Sequence, residues 1–375
     1  MSVPAPKVMP TNAEWQAAIA PFRTPELGAA RRQLWNTLVP YFLSTIAAYW
    51  LNQTVSWWAA LPFIILSGLL TVRLFIINHD CGHGSFVPDK KANDTIGFWT
   101  GLLVFTPYLQ WRHGHAIHHK ISGDVRQDGT GYVWIQTIKQ YESGDFWKRL
   151  GYRLYRNPLT IFGFGGAWLF LVEYRLPEKG ADARMRKQVW AIDAFWLAVA
   201  GLVSWTLGPA AFFTVQIPIA VVGTSIGVWL FYFQHHYEDA YFGTETTWDF
   251  TRAALEGSSF LKLPRWLQFF SGNIGFHHVH HLSPKIPNYK LEACHEAVPF
   301  FKSVRPLTLH DCYKAIWLTL VDSETGRWTT FKAAAAAEKA RKAAPVVSDV
   351  DRSSLPIGVE SVVAPVLPVP TQSSR

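Results

Sequence analysis

The sequence predicts an all-α integral membrane protein, with four transmembrane helices in two hairpins, interfacial helices and a cytosolic cap of histidine-rich segments. Three observations support this fold class. Of the 375 residues, 49% are hydrophobic and only 17% are charged, which is low for a soluble protein. The apolar residues are concentrated in blocks of membrane-spanning length. Three histidine-rich segments stand beside these blocks.

The first hairpin is predicted from two apolar blocks, at residues 34–51 and 57–77. As a helix, the first block crosses about 27 Å, at about 1.5 Å per residue. Polar residues 52–56 form the turn, and Trp57 and Trp58 stand where an aromatic belt anchors a membrane interface. The alternative is a buried hairpin of a soluble protein, but soluble helices have a polar stripe that these blocks lack.

The second hairpin is predicted at residues 189–207 and 210–233, with a turn at Gly208 and a bend near Pro218. Neither inter-span turn contains Lys or Arg, whereas nearly all basic residues lie outside the spans. By the positive-inside rule, both termini and the histidine segments face the cytoplasm. The expected location is therefore a multi-pass position in a membrane, with a bacterial inner membrane as the natural setting.

Of two shorter apolar segments, residues 94–109 are expected to form an interfacial or re-entrant helix, and residues 159–172 a helix on the membrane surface. A full crossing by the second would put histidine segments on opposite sides of the membrane, where they could not share metals. The predicted organisation is a cytosolic segment at 1–33, a membrane domain at 34–328, and an Ala-rich helix with a disordered Pro- and Ser-rich tail at 329–375.

The net charge of +8 favours an anionic partner surface. Because the basic residues accompany aromatic-rich apolar blocks, that surface is expected to be a membrane, with no nucleic-acid partner. The N-terminal residues have no apolar core of a signal peptide. The three cysteines, Cys81, Cys294 and Cys312, are expected to be reduced thiols. The sequence leaves the oligomeric state open.

Three segments place histidine at helical spacing: His79-Asp-Cys-Gly-His83, His113-Gly-His-Ala-Ile-His-His119 and His277-His-Val-His-His281. In a helix, positions i, i+3 and i+4 share a face, and imidazole is a common ligand of zinc, copper, iron and nickel. Surface histidine runs that bind phosphate or headgroups are the alternative. The sequence predicts a polynuclear metal site with the ligands His79, His83, His115, His118, His119, His235, His277, His280 and His281.

The remaining histidines are assigned other places. His235 is preferred to the adjacent His236, since only one of two neighbours on a helix faces the site. His113 and His278 fall off the shared faces, and His295 and His310 are interpreted as ordinary histidines. Carboxylates that orient the imidazoles, or that are simply solvated, are expected among Asp80, Asp124, Asp128, Glu238, Asp239 and Glu292. Channel walls or interface anchors are expected among Trp111, Tyr132 and Trp134.

The spacings HxxxH, HxxHH and HxxHH around two membrane hairpins resemble those of the membrane fatty acid desaturases, over roughly residues 34–320. Two strings are similar to those of bacterial, cyanobacterial and plastid omega-6 (delta-12) acyl-lipid desaturases: His79-Asp-Cys-Gly-His-Gly-Ser-Phe86 and His281-Leu-Ser-Pro-Lys-Ile-Pro-Asn-Tyr289. Gln234-His235 resembles the extra histidine that this family places after the fourth span.

The resemblance implies two iron ions, molecular oxygen as co-substrate and an external electron donor, which together convert two methylenes of a membrane lipid's acyl chain into a cis double bond. The spacing alone does not select iron, since nitrogen-only sites also suit zinc and copper. The His-Pro-Gly-Gly string of a fused haem domain is absent. The expected donor is therefore a separate protein such as ferredoxin, docked near Lys139, Lys148 and Arg149.

Two other functions fit parts of the pattern. A membrane hydroxylase or a carotenoid ketolase shares the three histidine segments and would give an alcohol or ketone instead of an alkene. A histidine-rich metal transporter predicts ionisable residues deep inside the spans. Here the spans hold almost none, and the histidines stand at their ends, which disfavours transport.

Overall fold

The computed structural model describes residues 9–124, 133–243, 246–323 and 325–343. Helices dominate these ranges. The α-helices are α1 (Asn12–Ile19), α2 (Leu27–Thr54), α3 (Trp57–His83), α4 (Lys90–Leu103), α5 (Tyr108–Ile121), α6 (Ile138–Ser143), α7 (Phe146–Tyr155), α8 (Gly166–Leu171), α9 (Ala183–Leu207), α10 (Pro209–Ala211), α11 (Ile217–His235), α12 (Phe250–Glu256), α13 (Arg265–Phe270), α14 (His277–Leu282), α15 (Asn288–Ala297), α16 (Leu309–Ala315) and α17 (Phe331–Ala343).

Shorter helical types complete the chain. The π-helical segments are Leu159–Gly165 and Phe212–Gln216, and the 3₁₀ segments are Ala20–Phe22, Glu173–Arg175 and Pro299–Ser303. The π segment at Phe212–Gln216 lies directly before Pro218, near the predicted bend. Such segments commonly mark irregular points within long helices.

Five two-residue strands form two small sheets that the all-α prediction did not include. The strands are β1 (Gln136–Thr137), β2 (Phe260–Leu261), β3 (Pro306–Leu307), β4 (Leu320–Val321) and β5 (Trp328–Thr329). β1 pairs in parallel with β4, which pairs antiparallel with β5, and β2 pairs in parallel with β3. A strand of two residues is too short to show an alternating pattern in the sequence. The pairing partners are also mostly distant along the chain.

Within the described ranges, three helical stretches are long and apolar enough to cross a membrane: α3, α9 and the continuous stretch Pro209–His235, which contains α10 and α11. They coincide with three of the predicted spans. α3 and α9 run beyond the predicted bounds, and α3 includes the first histidine segment. The predicted span at residues 34–51 lies inside α2, which is equally long but less apolar, so its membrane crossing stays a prediction.

α2 and α3 form an antiparallel hairpin with polar side chains between the helices. The hydroxyls of Ser44 and Ser67 are 2.7 Å apart. Arg73, the one charged residue of predicted span 57–77, is buried and donates from Nε to Thr37 Oγ1 at 3.0 Å. It also donates to the Phe269 carbonyl, and its guanidinium carbon lies 3.9 Å from the centre of the Phe269 ring. The buried cation is therefore bound by oxygen acceptors and an aromatic face.

α3 and α11 approach each other closely because small residues line their contact. A Cβ added at Gly68 would lie 2.5 Å from Val222 Cγ1, and one added at Gly223 would lie 2.9 Å from Thr71 Cβ. Close approach through small residues is typical of membrane helix pairs. The carboxyl ends of both helices carry histidines, so this packing fixes the distance between two parts of the site.

The predicted interfacial helix at 94–109 is wrong as a single element. α4 ends at Leu103, and α5 begins at Tyr108 after a break in which Phe105 has φ 58°. Phe105 stacks on Trp196 of α9 at 3.9 Å between ring centroids, which holds the break against a candidate span. The second predicted segment, 159–172, is helical as a π segment followed by α8.

The chain divides into two compact units, Met1–Ala334 and Ala335–Arg375. The largest apolar core of the first unit includes Val279, Leu282 and Leu291 around the third histidine segment. The Ala-rich segment is helical as α17. Residues 344–375, where the disordered tail is predicted, lie outside the described residues, as do Asp128 and Tyr132.

Candidate metal centre

The first two histidines stand on the last turn of α3. His79 and His83 are four residues apart, with ring centroids 4.7 Å apart. α3 ends directly after them, because Gly84 adopts the left-handed conformation (φ 63°) and its N–H bonds to the Cys81 carbonyl at 2.9 Å. A glycine commonly ends a helix in this way. Gly84 therefore ends α3 directly after the second histidine.

The second segment occupies the carboxyl half of α5. This helix is joined to α3 by Tyr108, whose hydroxyl donates to the Cys81 carbonyl at 2.9 Å. Trp111 stacks on His115 with ring centroids 4.5 Å apart. His118 and His119 are adjacent, so their side chains leave the helix about 100° apart. Neighbouring histidines on α5 therefore point into two different places.

The third segment is α14, a six-residue helix held by backbone contacts on its amino-terminal side. The Leu261 N–H bonds to the Gly275 carbonyl at 2.7 Å, and the His278 N–H bonds to the Ser259 carbonyl at 3.1 Å. A Cβ at Gly275 would lie 2.5 Å from the Leu261 carbonyl oxygen. Only glycine allows this approach, which sets where the histidine helix begins.

A fourth element contributes His235, the last residue of α11. Its Nδ1 lies 3.1 Å from the Gly257 carbonyl. Because a carbonyl only accepts, Nδ1 carries the proton and Nε2 is the accepting nitrogen of the ring. The adjacent His236 turns away from the cluster, with Nε2 2.5 Å from the Leu318 carbonyl. Of this pair, the structure brings only His235 to the other histidines, as the sequence predicts.

The nine histidines form two groups, in each of which the candidate ligand atoms all lie within 4.8 Å of one another. The first group contains five histidines: His79, His83, His115, His119 and His280. The second contains four: His118, His235, His277 and His281. Each adjacent pair is split between the groups, and His119 of one stacks on His281 of the other at 4.2 Å between ring centroids. The groups are therefore neighbours that share helices.

Nitrogen atoms converge inside each group. His119 Nε2 lies 3.1 Å from His115 Nε2 and 3.0 Å from His280 Nε2 in the first group. In the second, His235 Nε2 lies 3.1 Å from His118 Nε2 and 3.0 Å from His277 Nε2. Two ligands at right angles around a metal, each about 2.1 Å away, are separated by about 3.0 Å. The spacing matches adjacent ligands of one ion.

The protonation states of these imidazoles also suit a metal. Burial and the neighbouring imidazoles hold their pKa values well below the usual value, at His115, His119, His277, His280 and His281. A neutral imidazole keeps one unprotonated ring nitrogen, which is the form that binds a metal. Among the described residues, the buried His83 Nε2 and His281 Nε2 have no hydrogen-bond partner. The residues present therefore fit two metal ions of the kind that imidazole binds, and their ligand roles stay a prediction.

Among the predicted orienting carboxylates, Asp80 contacts a histidine of the first group. Asp80 is buried, and its Oδ1 lies 3.0 Å from His79 Nδ1. Its Oδ2 accepts from the backbone N–H and the side-chain amide of Asn288, at 2.6 and 2.8 Å. Asp239 instead pairs with Arg305 at 3.1 Å and is exposed, like Glu238 and Glu292. Asp124 forms a backbone bridge with Gly243.

The histidines that the sequence places off the shared faces lie outside both groups. His278 Nε2 is 2.9 Å from His295 Nδ1 in a pocket with Phe260 and Phe301. His113 and His310 are exposed. Trp111 stands beside His79 and His115, and its role as a channel wall or an interface anchor stays a prediction. Trp134 packs instead on Tyr152 and Tyr155, away from the groups.

Sequence reasoning missed two residues that orient the site. Asn288 binds Asp80, and Gln33 of α2 donates to Asn288 Oδ1 at 2.9 Å. The available signal was the position of Asn288 in the string that follows the third histidine segment. The Gly257 carbonyl gave no signal, since every residue carries one.

Comparison with known proteins matches residues 56–304 to the family described as fatty acid desaturase. A Bacillus subtilis protein named fatty acid desaturase is 42% identical over 315 residues, covering 84% of this chain and 89% of its own. An sn-1 oleoyl-lipid 12-desaturase of Picosynechococcus sp. is 25% identical, covering 70% of this chain and 76% of its own. A chloroplastic, temperature-sensitive sn-2 acyl-lipid omega-3 desaturase (ferredoxin) of Arabidopsis thaliana is 28% identical, covering 73% and 65%.

Proposed function

The chain belongs to the fatty acid desaturase family, and we propose that it introduces a cis double bond into the acyl chain of a membrane lipid, using molecular oxygen and external electrons. The single observation that carries the proposal is the pair of adjacent imidazole groups, five and four histidines, at the ends of apolar helices. A nitrogen-rich paired site at a membrane boundary suits oxidation of a substrate that is itself dissolved in the bilayer.

The nine histidines would hold two iron ions, one in each group. Bound iron supplies the change of oxidation state that breaking an unactivated C–H bond requires, and which zinc lacks. The protein's part is to fix the ligands. Asp80 holds the His79 ring through Nδ1, and the Gly257 carbonyl holds the His235 ring in the same way. Both contacts leave Nε2 with its lone pair toward the group.

Aromatic side chains lie beside histidines of both groups. Trp111 stacks on His115, and Phe75 lies 5.3 Å from Trp111, between ring centroids. Phe231 lies 5.2 Å from His118 and 5.8 Å from His235. These apolar walls would admit a hydrocarbon chain and exclude solvent, which favours oxidation of the bound methylenes over side reactions.

The position of the double bond is proposed as delta-12 (omega-6). Support comes from the two strings around the first and third histidine segments and from relatives that are named sn-1 oleoyl-lipid 12-desaturase. Other relatives are named omega-3 desaturases, which makes omega-3 the competing position. For either position, the acyl chain must be held at a fixed point so that the same two methylenes reach the site. The length of the channel would therefore decide between delta-12 and omega-3.

The electron donor is proposed to be a ferredoxin. Relatives whose names include ferredoxin support this choice, and so does the net charge of +8. An acidic carrier is attracted to a basic surface, which accelerates encounter at low ionic strength. The donor would dock on the side of the histidine groups, because electrons must reach the metals.

We propose four membrane spans, with both termini and the histidine groups on the cytoplasmic side. At one end of α2, Gln33 binds Asn288, which binds Asp80 beside His79. At its other end, Asn52 Nδ2 donates to Thr214 Oγ1 at 3.3 Å, and Gln53 Nε2 donates to the Leu207 carbonyl at 3.0 Å. α2 thus extends between the two ends of the spans, which supports a full crossing.

The test is a fatty-acid profile, by gas chromatography with mass detection, of a bacterial host that expresses the chain with a ferredoxin and its reductase. New unsaturated chains are expected from the natural sequence, and the fragmentation of derivatised products locates the double bond. The double variant His280→Ala/His281→Ala removes one ligand from each group and should give none. His113→Ala is the matched control, since His113 is exposed and outside both groups, and should retain the product.

An unchanged profile with iron bound and reductant supplied would refute desaturation. Hydroxylated or ketone products in the same experiment would assign the chain to a hydroxylase or ketolase reaction instead.

A further inference from the structure

One helix outside the metal centre has a surface that the proposed function does not use. α7 holds three basic residues and no acidic one in the sequence Phe-Trp-Lys-Arg-Leu-Gly-Tyr-Arg-Leu-Tyr. Large apolar side chains protrude from it: Phe146, Trp147 and Leu154 are 63%, 75% and 59% exposed. At 100° per residue, these three side chains and Leu150 share one face. An apolar face of this size directed outward needs an occupant.

The opposite face of α7 is the one that packs on the protein. Tyr152 is fully buried there, and its hydroxyl donates to the Thr319 carbonyl. Arg156, the residue that caps α7, is also buried and donates to the Leu318 carbonyl at 2.9 Å. These contacts fix the rotation of the helix about its axis. Because the opposite face is packed, the helix cannot rotate to bury its apolar side chains. The apolar face is therefore held outward.

The carboxyl end of α7 is tied to the end of a candidate membrane span. Arg156 donates from its guanidinium to the Tyr232 hydroxyl at 2.8 Å, and Tyr232 lies one turn before His235, where α11 ends. The following π segment also packs there, with Phe162 5.2 Å from Tyr232 between ring centroids. α7 thus ends beside the end of this candidate span that carries His235.

We infer that α7 is a membrane-surface helix, whose apolar face enters the boundary between acyl chains and headgroups in the leaflet on the side of the histidine groups. Lys148 and Arg149 flank this face and are exposed, with Asp145 at the amino-terminal cap 3.8 Å from Lys148. Arg153 lies beside the apolar face and bonds the Tyr141 hydroxyl. Aromatic and leucine residues on one face with Lys and Arg beside them are typical of helices that bind anionic bilayers.

The inference changes the expected donor surface. Lys148 and Arg149 would contact lipid phosphates, which removes them from the ferredoxin site that the sequence suggests for Lys139, Lys148 and Arg149. A second copy of the chain is the competing occupant of the apolar face. A bilayer is favoured because the carboxyl end of the helix lies at a span end and the helix carries basic residues that match anionic headgroups.

The test places an environment-sensitive bimane label on α7 of the full chain in lipid nanodiscs. The three natural cysteines are buried, so labels on Trp147→Cys and Leu154→Cys report on those positions. Both replaced side chains are exposed, so the fold does not depend on them. Ser143→Cys is the matched control, because Ser143 is exposed and precedes the helix.

In nanodiscs of phosphatidylcholine and phosphatidylglycerol, the labels at 147 and 154 should shift their emission to the blue. They should also be quenched by nitroxide lipids and shielded from iodide. The label at 143 should be quenched by iodide and not by nitroxide lipids. Charge reversal in Lys148→Glu/Arg149→Glu should reduce lipid quenching at 154 in anionic nanodiscs and leave it unchanged in pure phosphatidylcholine.

Equal iodide quenching at 143, 147 and 154 would overturn the inference, because α7 would then face water. Shielding of 147 and 154 from both iodide and nitroxide lipid would overturn it as well, by assigning the face to another protein surface.

Discussion

Replacing Asp80 with asparagine changes one atom in the contact that orients His79. The carboxylate of Asp80 accepts three hydrogen bonds, from His79 Nδ1 at 3.0 Å and from the Asn288 N–H and amide at 2.6 and 2.8 Å. Asparagine keeps the shape of the side chain but offers only one accepting oxygen. The amide nitrogen of the new asparagine is a donor, so the variant must place it opposite the donor of either His79 or Asn288.

The two arrangements differ in cost. If the oxygen faces His79, the new amide opposes two donors of Asn288, and each unmade bond costs about 1–3 kcal/mol. If it faces Asn288, the new amide faces His79 Nδ1, and the proton of the ring must move to Nε2. The second arrangement loses fewer contacts and is expected to prevail, but it takes away the lone pair that points into the group of five. Loss of an orienting partner lowers metal affinity about 10–100-fold, or about 1.4–2.7 kcal/mol.

The assay is iron content per chain, by mass spectrometry of the purified protein after dialysis against increasing chelator concentrations. Asp80→Asn should release one of the two ions at a lower chelator concentration than the natural chain. Glu292→Gln is the matched control, since Glu292 is an exposed carboxylate in the neighbouring α15. Equal iron retention by Asp80→Asn and the natural chain would refute the orienting role of Asp80.

Two further predictions follow from packing. Gly68→Ala should destabilise the protein by about 1–3 kcal/mol, because its Cβ would lie 2.5 Å from Val222 Cγ1. Thermal unfolding in detergent measures this loss. Gly201→Ala is the control, since the space around its Cβ is open, and an equal loss of stability in that variant would contradict the argument. His278→Ala should keep both proposed iron ions but lower the free energy of unfolding by about 2 kcal/mol, since His278 is buried against His295 outside both groups. Loss of iron at unchanged stability would instead make His278 a ligand.

Helical spacing was sufficient to predict which histidines meet, because i, i+3 and i+4 positions share a face in any helix. It was not sufficient to divide them. His118 belongs to one group and its neighbour His119 to the other, and His280 and His281 are divided likewise. That division depends on how α5 and α14 are rotated against α3 and α11, which is a property of tertiary packing.

The carboxylates show the same limit. Asp80 stands inside the first histidine segment and Glu292 beyond the third, but position in the sequence does not show which carboxylate contacts an imidazole. Asp80 becomes the orienting residue because Asn288, 208 positions away, reaches it across the interface of α3 and α15. The break between α4 and α5 has one local signal, Pro107, which precedes α5 and disfavours helix at the residue before it. The left-handed conformation of Phe105 has none, since it is supported by Trp196 from a distant helix. Long-range contacts select among candidates that the sequence makes equivalent.

The proposed crossing by α2 depends on which side of the helix is considered, because its two sides differ in character. Its polar side chains Gln33, Thr37 and Ser44 are buried, and they bond within the protein. The opposite side is apolar and exposed, at Trp35, Val39, Phe42, Leu43, Ile46 and Trp50. An average over all residues counts the buried hydroxyls and amides against the helix, although lipid would never contact them. The apolar character of the exposed side, together with the attachment of both ends of α2 to the two ends of the spans, supports a fourth crossing where composition alone gives three.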